Sequence, residues 1–338
     1  MKTLLYLLSF ILIVCASCKK HKKEEVAPVK FHADGEVSKL YYNGENSVNI
    51  VVLGDGFTKE DLQQGGSFDK QSKELIDYLF TVPPFSQNKK YFNTYVVYAE
   101  SKNRGASMGY DPSGRTKFSS HFSLQTERLL MAGNMDSCDK YIEKALPLYR
   151  VHLAVMIVND ATYGGSGGRI AVVSANSLSK YIFVHETGHT FAGLADEYVD
   201  EAIADNYSMN YIYFLPNVDV TPDLDRIKWQ HILKRPAYQN EVGAFEGAYY
   251  RASGVFRPEM GSTMSELRYL NFNAPSREAI VKRIREITGL PFNAEAFFNE
   301  DAFNIKPVIA PSLSGVSLPA NDFIGIKAHI QRLKTGKR

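Results

Sequence analysis

His185, Glu186 and His189 follow one another in the order His-Glu-x-x-His. On a helix, side chains four residues apart lie on one face, about one turn apart. That separation lets two imidazole nitrogens reach a single zinc ion at about 2.0–2.1 Å. Glu186, next to the first histidine, is placed to take a proton from water that the ion has acidified toward a pKa of about 7. It can then deliver that proton to a leaving amine. The apolar flanks Ile182, Phe183, Val184 and Phe191 suit a helix at the centre of a domain rather than one carrying two unrelated surface histidines.

A zinc site of this kind needs a third protein ligand from further along the chain. If the helix ran on unbroken, Asp196 would lie about 10 Å beyond His189 along the axis, out of reach of a shared ion. Gly193 offers a solution, because glycine ends helices in a left-handed turn and lets the chain fold back. Asp196 is the expected third ligand, and Glu197 beside it is the alternative.

These residues need a frame. Residues 49–53 and 152–158 are apolar, β-branched runs that read as strands buried on both faces. Residues 92–98 and 170–174 read as two further strands. A helix is expected after Thr58, with Leu75, Ile76, Leu79 and Phe80 at helical spacing. Others are expected over 124–131 and 141–146. Alternating strands and helices imply an α/β fold. The glycine-rich run 163–168 lacks the GxxxxGK[ST] pattern of a phosphate loop and instead permits close backbone approach.

Hydrophobic residues make up 44% and charged residues 22% of 338, as in ordinary globular chains. The net charge of +2, without any basic and aromatic stripe, gives no reason to expect nucleic acid as a partner. Lys2 followed by the apolar run 4–14 reads as an export signal, too short to span a bilayer. Ala16 and Ser17 before Cys18 resemble a bacterial lipobox, implying cleavage before Cys18 and a lipid on its thiol. The charged residues 19–25 read as a solvated tether resembling those of lipoproteins displayed by Bacteroidota. The expected organisation is a lipoprotein signal peptide at 1–17, a charged tether at 18–38, a catalytic domain at 39–300 and a C-terminal extension at 301–338. Export with lipid anchoring to the outer membrane is the expected location, facing either the periplasm or the cell exterior. Cys138 would then be the one cysteine left without lipid, so no internal disulfide is expected. Its acidic neighbours Asp136 and Asp139 disfavour a thiolate, and it reads as structural.

The histidine motif resembles that of the metzincin metallopeptidases, HExxHxxG followed by a third His or Asp. Here Gly193 and Asp196 each stand one position late. The longer pattern HExGHxxxGLxDEY resembles the IgA-peptidase-like M64 family of zinc metallopeptidases. Segments 50–57, 91–95, 163–168, 246–250 and 254–258 resemble that family as well, so that the likeness runs from about residue 48 to residue 287. The resemblance implies a metzincin-like mixed twisted sheet, an active-site helix and a mostly helical or irregular C-terminal subdomain. It implies that residues 261–264 form a methionine turn, with Met264 beneath the metal. It implies an extended peptide substrate paired to an edge strand, for which 170–174 is the candidate. Tyr198 and Arg257 are candidates for oxyanion stabilisation or for holding a loop. The β-rich N-terminal domain of larger members is expected to be missing.

The expected function is a zinc-dependent endopeptidase with Glu186 as general base and His185, His189 and Asp196 as metal ligands. A surface lipoprotein that binds a host protein or glycan without catalysis, and a zinc hydrolase of non-peptide amides, are the competing readings. The presence of Glu186 argues against the first of these, since binding alone would not require it.

Overall fold

The structure, a computed structural model, describes residues 29–126 and 128–318. The expected signal segment, Cys18, the charged run 19–25 and the basic C-terminal end lie outside the described residues.

The chain opens with β1 (Val37–Tyr41) and β2 (Val48–Asp55). A 3-10 turn at Lys59–Leu62 precedes α1 (Ser67–Leu79), so the helix expected after Thr58 begins only beyond Gly65 and Gly66. A short α2 (Phe85–Asn88) leads into β3 (Phe92–Val97). Three two-residue strands follow: β4 (Ser107–Met108), β5 (His121–Phe122) and β6 (Leu130–Met131). Next come α3 (Met135–Ala145), β7 (Leu153–Val158), β8 (Gly165–Ser166), β9 (Ala171–Ser174) and α4 (Ser179–Ala192). The remainder holds α5 (Gln230–Leu233), the hairpin β10 (Phe245–Ala248) with β11 (Arg251–Arg257), α6 (Ala274–Thr288) and α7 (Ala294–Asp301). This later half is mostly helical and irregular, as the resemblance implied.

The main sheet has the order β1-β3-β2-β7-β9-β8. Strands β3, β2, β7 and β9 run parallel, and an antiparallel strand closes each side. The fold is therefore mixed α/β. Alternate residues of β2 divide between the faces. Ile50 and Val52 join the core under α1, α4 and α6, whereas Val51 and Leu53 join the core under α3. Leu153, Val155 and Ile157 against Ala154, Met156 and Val158 repeat the division in β7. Because both faces are covered, the period of two is invisible in the sequence and the strands read as continuous apolar runs.

Two expectations are corrected. Residues 124–131 are not a helix. Leu130 pairs with Phe122 and Met131 with His121 in an antiparallel ladder, so a partner strand overrides the local helical pattern. Residues 170–174 are not a sheet edge. Strand β8 lies outside β9, and Gly165 of β8 is in turn bridged to Leu129.

Asp55 ends β2 and organises the long loop after β3. Its carboxyl oxygens accept from Ser101 Oγ at 3.1 Å, Thr116 Oγ1 at 2.9 Å, Phe118 N at 3.0 Å and Ser120 N at 2.9 Å. On the α3 face, burial, with Asp55 as a second cause, pushes the Cys138 thiol up to about 12, which leaves it inert. The polypeptide before residue 39 already packs on the domain, where the His32 ring stacks on Tyr98 at 3.7 Å.

In the later half the core is partly ionic. Arg277 of α6, fully buried, donates to both carboxyl oxygens of Asp301 at 2.7 and 2.8 Å, and Tyr238 donates to Asp301 at 2.8 Å. Glu259 lies in the same region and accepts from Ala274 N at 2.7 Å. Burial pushes its carboxyl from the ordinary 4.5 up to about 8, against the pull of Arg277. The folded protein therefore binds a proton that the unfolded chain releases. The resulting stability is complete below pH 4.5 and is lost as the pH rises through about 8. Glu259→Gln keeps an acceptor oxygen and has no proton to lose. Its urea midpoint should fall less than that of the wild type between pH 4.5 and about 8. Denaturation at stepped pH checks this, and parallel profiles for the two proteins would refute it.

Candidate metal site

Helix α4 is buried almost all round, and it packs against β9, α1 and α6. It ends where the sequence places the break. Gly193 has φ +66°, and its N–H bonds back to His189 O at 3.0 Å. Leu194 N then reaches Gly188 O at 3.1 Å, and the chain turns back beside the helix.

The reversal brings Asp196 to the two histidines. Asp196 Oδ1 lies 3.2 Å from His185 Nε2 and 3.3 Å from His189 Nε2, and the two Nε2 atoms are 3.0 Å apart. The opposite ring nitrogens set the tautomers. His185 Nδ1 donates to Thr263 O at 2.9 Å and His189 Nδ1 to Leu194 O at 2.8 Å. A carbonyl only accepts, so each Nδ1 carries a hydrogen, and a neutral ring then presents its lone pair at Nε2. Asp196 Oδ1 has no hydrogen-bond donor. With the rings neutral, three lone pairs face one another at a buried position. Such an arrangement is repulsive unless positive charge sits among them. Its edges match the spacing of roughly 3.3 Å between tetrahedral ligands with bonds of about 2.0–2.1 Å. The donor set fits a divalent cation.

Burial opposes ionisation of Asp196, yet His189 and then His185 hold its carboxyl well below the usual carboxylate range. Burial alone would lower His189, but Asp196 more than offsets it and raises that group. Besides burial, both shifts share one cause, the attraction between the Asp196 carboxylate and the histidines that it faces.

Glu197, the alternative ligand, points elsewhere. Its oxygens accept from Asn217 Nδ2 at 2.7 Å, Ser262 Oγ at 2.6 Å and the Asn273 side-chain amide. It is not one of the three residues whose ligand atoms gather within 4.8 Å. Glu186 is fully buried, and a Cβ added at Gly165 of β8 would lie 3.8 Å from its Oε1. The same Cβ would meet Ile182 Cγ2 at 2.8 Å and Val172 O at 2.9 Å, so the glycine is what lets β8 pass over the helix. Met264 lies beneath α4, fully buried. The Arg257 guanidinium donates to Gly247 O, a contact within the β10–β11 hairpin.

Tyr250 is a site residue that the pattern did not single out. Its hydroxyl donates to Asp196 Oδ2, which leaves Oδ1 for the shared centre. Burial, followed by the Asp196 charge, pushes that hydroxyl well above its usual value and keeps it a donor. Tyr198 packs edge-on against Tyr250 at 5.3 Å. Tyr249 and Tyr250 have φ of +51° and +69°, a rare conformation for aromatic residues. Two adjacent tyrosines after Gly247 were the available signal, and nothing in their spacing ties them to Asp196.

The contact between Met264 and α4 is tested at Gly188. A Cβ there would sit 2.7 Å from Met264 Sδ and 3.0 Å from Phe272 Cε1. Gly188→Ala should cost about 1–3 kcal/mol by overpacking. Adding Met264→Ala should recover part of that loss, with a coupling of about 1 kcal/mol in a urea double-mutant cycle. Additive losses would show that the two residues do not press on each other.

Among curated proteins none matches the chain. The profile of the IgA peptidase M64 family matches residues 40–238 and 231–284, most of the chain and all of the helix, turn and hairpin just described. The chain belongs to the M64 family of metallopeptidases.

Proposed function

We propose that the protein is a zinc-dependent endopeptidase in which His185, His189 and Asp196 are the ligands and Glu186 is the general base. The observation that carries this reading is the convergence of His185 Nε2, His189 Nε2 and Asp196 Oδ1 at 3.0, 3.2 and 3.3 Å. Membership of a peptidase family supports peptide or protein substrates. Zinc, when bound, supplies Lewis acidity that lowers the pKa of water toward about 7 and polarises the scissile carbonyl. The rest of the chemistry belongs to the chain. Thr263 O and Leu194 O fix the histidine rings, and Tyr250 fixes the carboxyl group of Asp196. Glu186 takes the proton of the attacking water and passes it to the leaving nitrogen. Its burial keeps bulk water from competing for that proton.

A chelator should abolish casein cleavage by the wild type, and added zinc should restore it. Glu186→Gln should bind zinc with unchanged stoichiometry while its cleavage rate falls by about 10²–10⁴-fold. Equal cleavage by the two proteins would reject the catalytic reading and favour a protein that only binds its target.

We also propose that the chain is exported and held to the outer membrane by a lipid on Cys18. The apolar run 4–14 and the small residues before Cys18 support this. Cells fed a palmitate analogue should label the wild-type protein but not Cys18→Ser. Label on both would place the lipid elsewhere.

A further inference from the structure

We propose that Glu197 is a positioning residue, whose buried side chain locks the loop carrying Asp196 to the turn carrying Met264 and so sets the geometry of the metal site. The inference rests on the reading of His185, His189 and Asp196 as ligands.

Asp196 reaches the histidines from an irregular segment, without a helix or strand to hold it. Its neighbours supply the restraint. Before it, Ala195 is clamped by Asn217, whose Oδ1 accepts from Ala195 N at 2.8 Å and whose Nδ2 donates to Ala195 O at 2.9 Å. After it, Glu197 N donates to Met264 O at 2.8 Å. The preceding carbonyl, Thr263 O, is the one that orients His185. One turn thus grips both the first histidine and the residue beside the third ligand.

The Glu197 side chain closes this frame. It is 1% exposed and gathers three donors from three separate segments. Ser262 Oγ, at 2.6 Å, belongs to the methionine turn and also accepts from Met264 N at 3.0 Å. Asn217 Nδ2, at 2.7 Å, belongs to the clamp on Ala195. The Asn273 amide belongs to the residue that caps α6, where its Oδ1 accepts from Ser276 N at 3.0 Å. A side chain with two acceptor oxygens satisfies all three. Glutamine has one acceptor oxygen and an NH₂ group, so it must turn a donor toward at least one of them. Burying an acid at this depth disfavours its charged form, and only converging donors make it tolerable. Stability alone would be served as well by apolar residues in place of the acid and its donors together. An acid that joins the ligand loop, the methionine turn and α6 is explained by the precision that it gives to Asp196.

The test uses the purified full chain stripped of metal and reloaded with zinc or cobalt(II). Glu197→Gln should bind zinc about 10–100-fold more weakly than the wild type. The visible absorption of its cobalt form should shift, because the ligand field reports on ligand positions. Ser262→Ala removes one donor and should give a smaller loss in the same direction, which keeps the test valid if Glu197→Gln does not fold. Ile142→Val, on the opposite face of the sheet, should lower Tm without moving either readout. If Glu197→Gln and Ser262→Ala lower Tm but keep the wild-type zinc affinity and cobalt spectrum, Glu197 is merely structural and the proposal is overturned. If the wild type itself binds neither metal, the ligand assignment fails first, and this inference fails with it.

Discussion

Two imidazole nitrogens and one carboxyl oxygen, each presenting a lone pair, are held within 3.3 Å of one another and sealed from water. Left to themselves they would separate or capture a proton. The arrangement persists because each group is held from behind by a partner on a different segment. Thr263 comes from the turn that carries Met264, Leu194 from the loop after α4 and Tyr250 from the β10–β11 hairpin. Much of the polypeptide beyond residue 193 can be understood as a clamp that keeps three mutually repelling groups together.

The clamp needs backbones close to the helix, and glycine provides the room. Gly188 lets Met264 and Phe272 press against α4, and Gly165 lets the outer strand pass beside Glu186. Gly193 differs from these, since it is required for its positive φ rather than for space. These glycines place the sheet edge, the helix and the methionine turn around one point.

Both faces of the parallel strands are covered by apolar cores. The later half of the chain also buries Glu197, Glu259, Arg277 and Asp301. Such groups add little net stability, but they permit few alternative arrangements once their partners are in place. That trade suits a region whose task is to hold irregular loops in position. It also makes this region sensitive to pH between 4.5 and about 8, where the folded state keeps a Glu259 proton that the unfolded chain releases.

The local features of the site were legible because they follow from short-range geometry. The spacing of His185 and His189 needs only a helix, and the break at Gly193 needs only a residue that tolerates positive φ. The buried strands β2 and β7 announce themselves by continuous apolar character. What failed was pairing. Strand β8 is two residues long, too short to carry a period, so residues 170–174 passed for an edge that they do not form. Leu130 and Met131 sit in a helix-like pattern, and only β5 opposite them makes a strand. The choice between Asp196 and Glu197 also lay beyond the pattern, because adjacent carboxylates differ only in which way the folded chain points them. Tyr250 takes one and Asn217, Ser262 and Asn273 take the other, from 20 to 76 residues away. By itself the sequence determined the helix, its two histidines, the glutamate between them and the turn that ends it, since each depends on neighbours within a few residues. The tertiary structure decided which acid faces the histidines and which strand borders the site, because both depend on partners that meet only when the chain is folded.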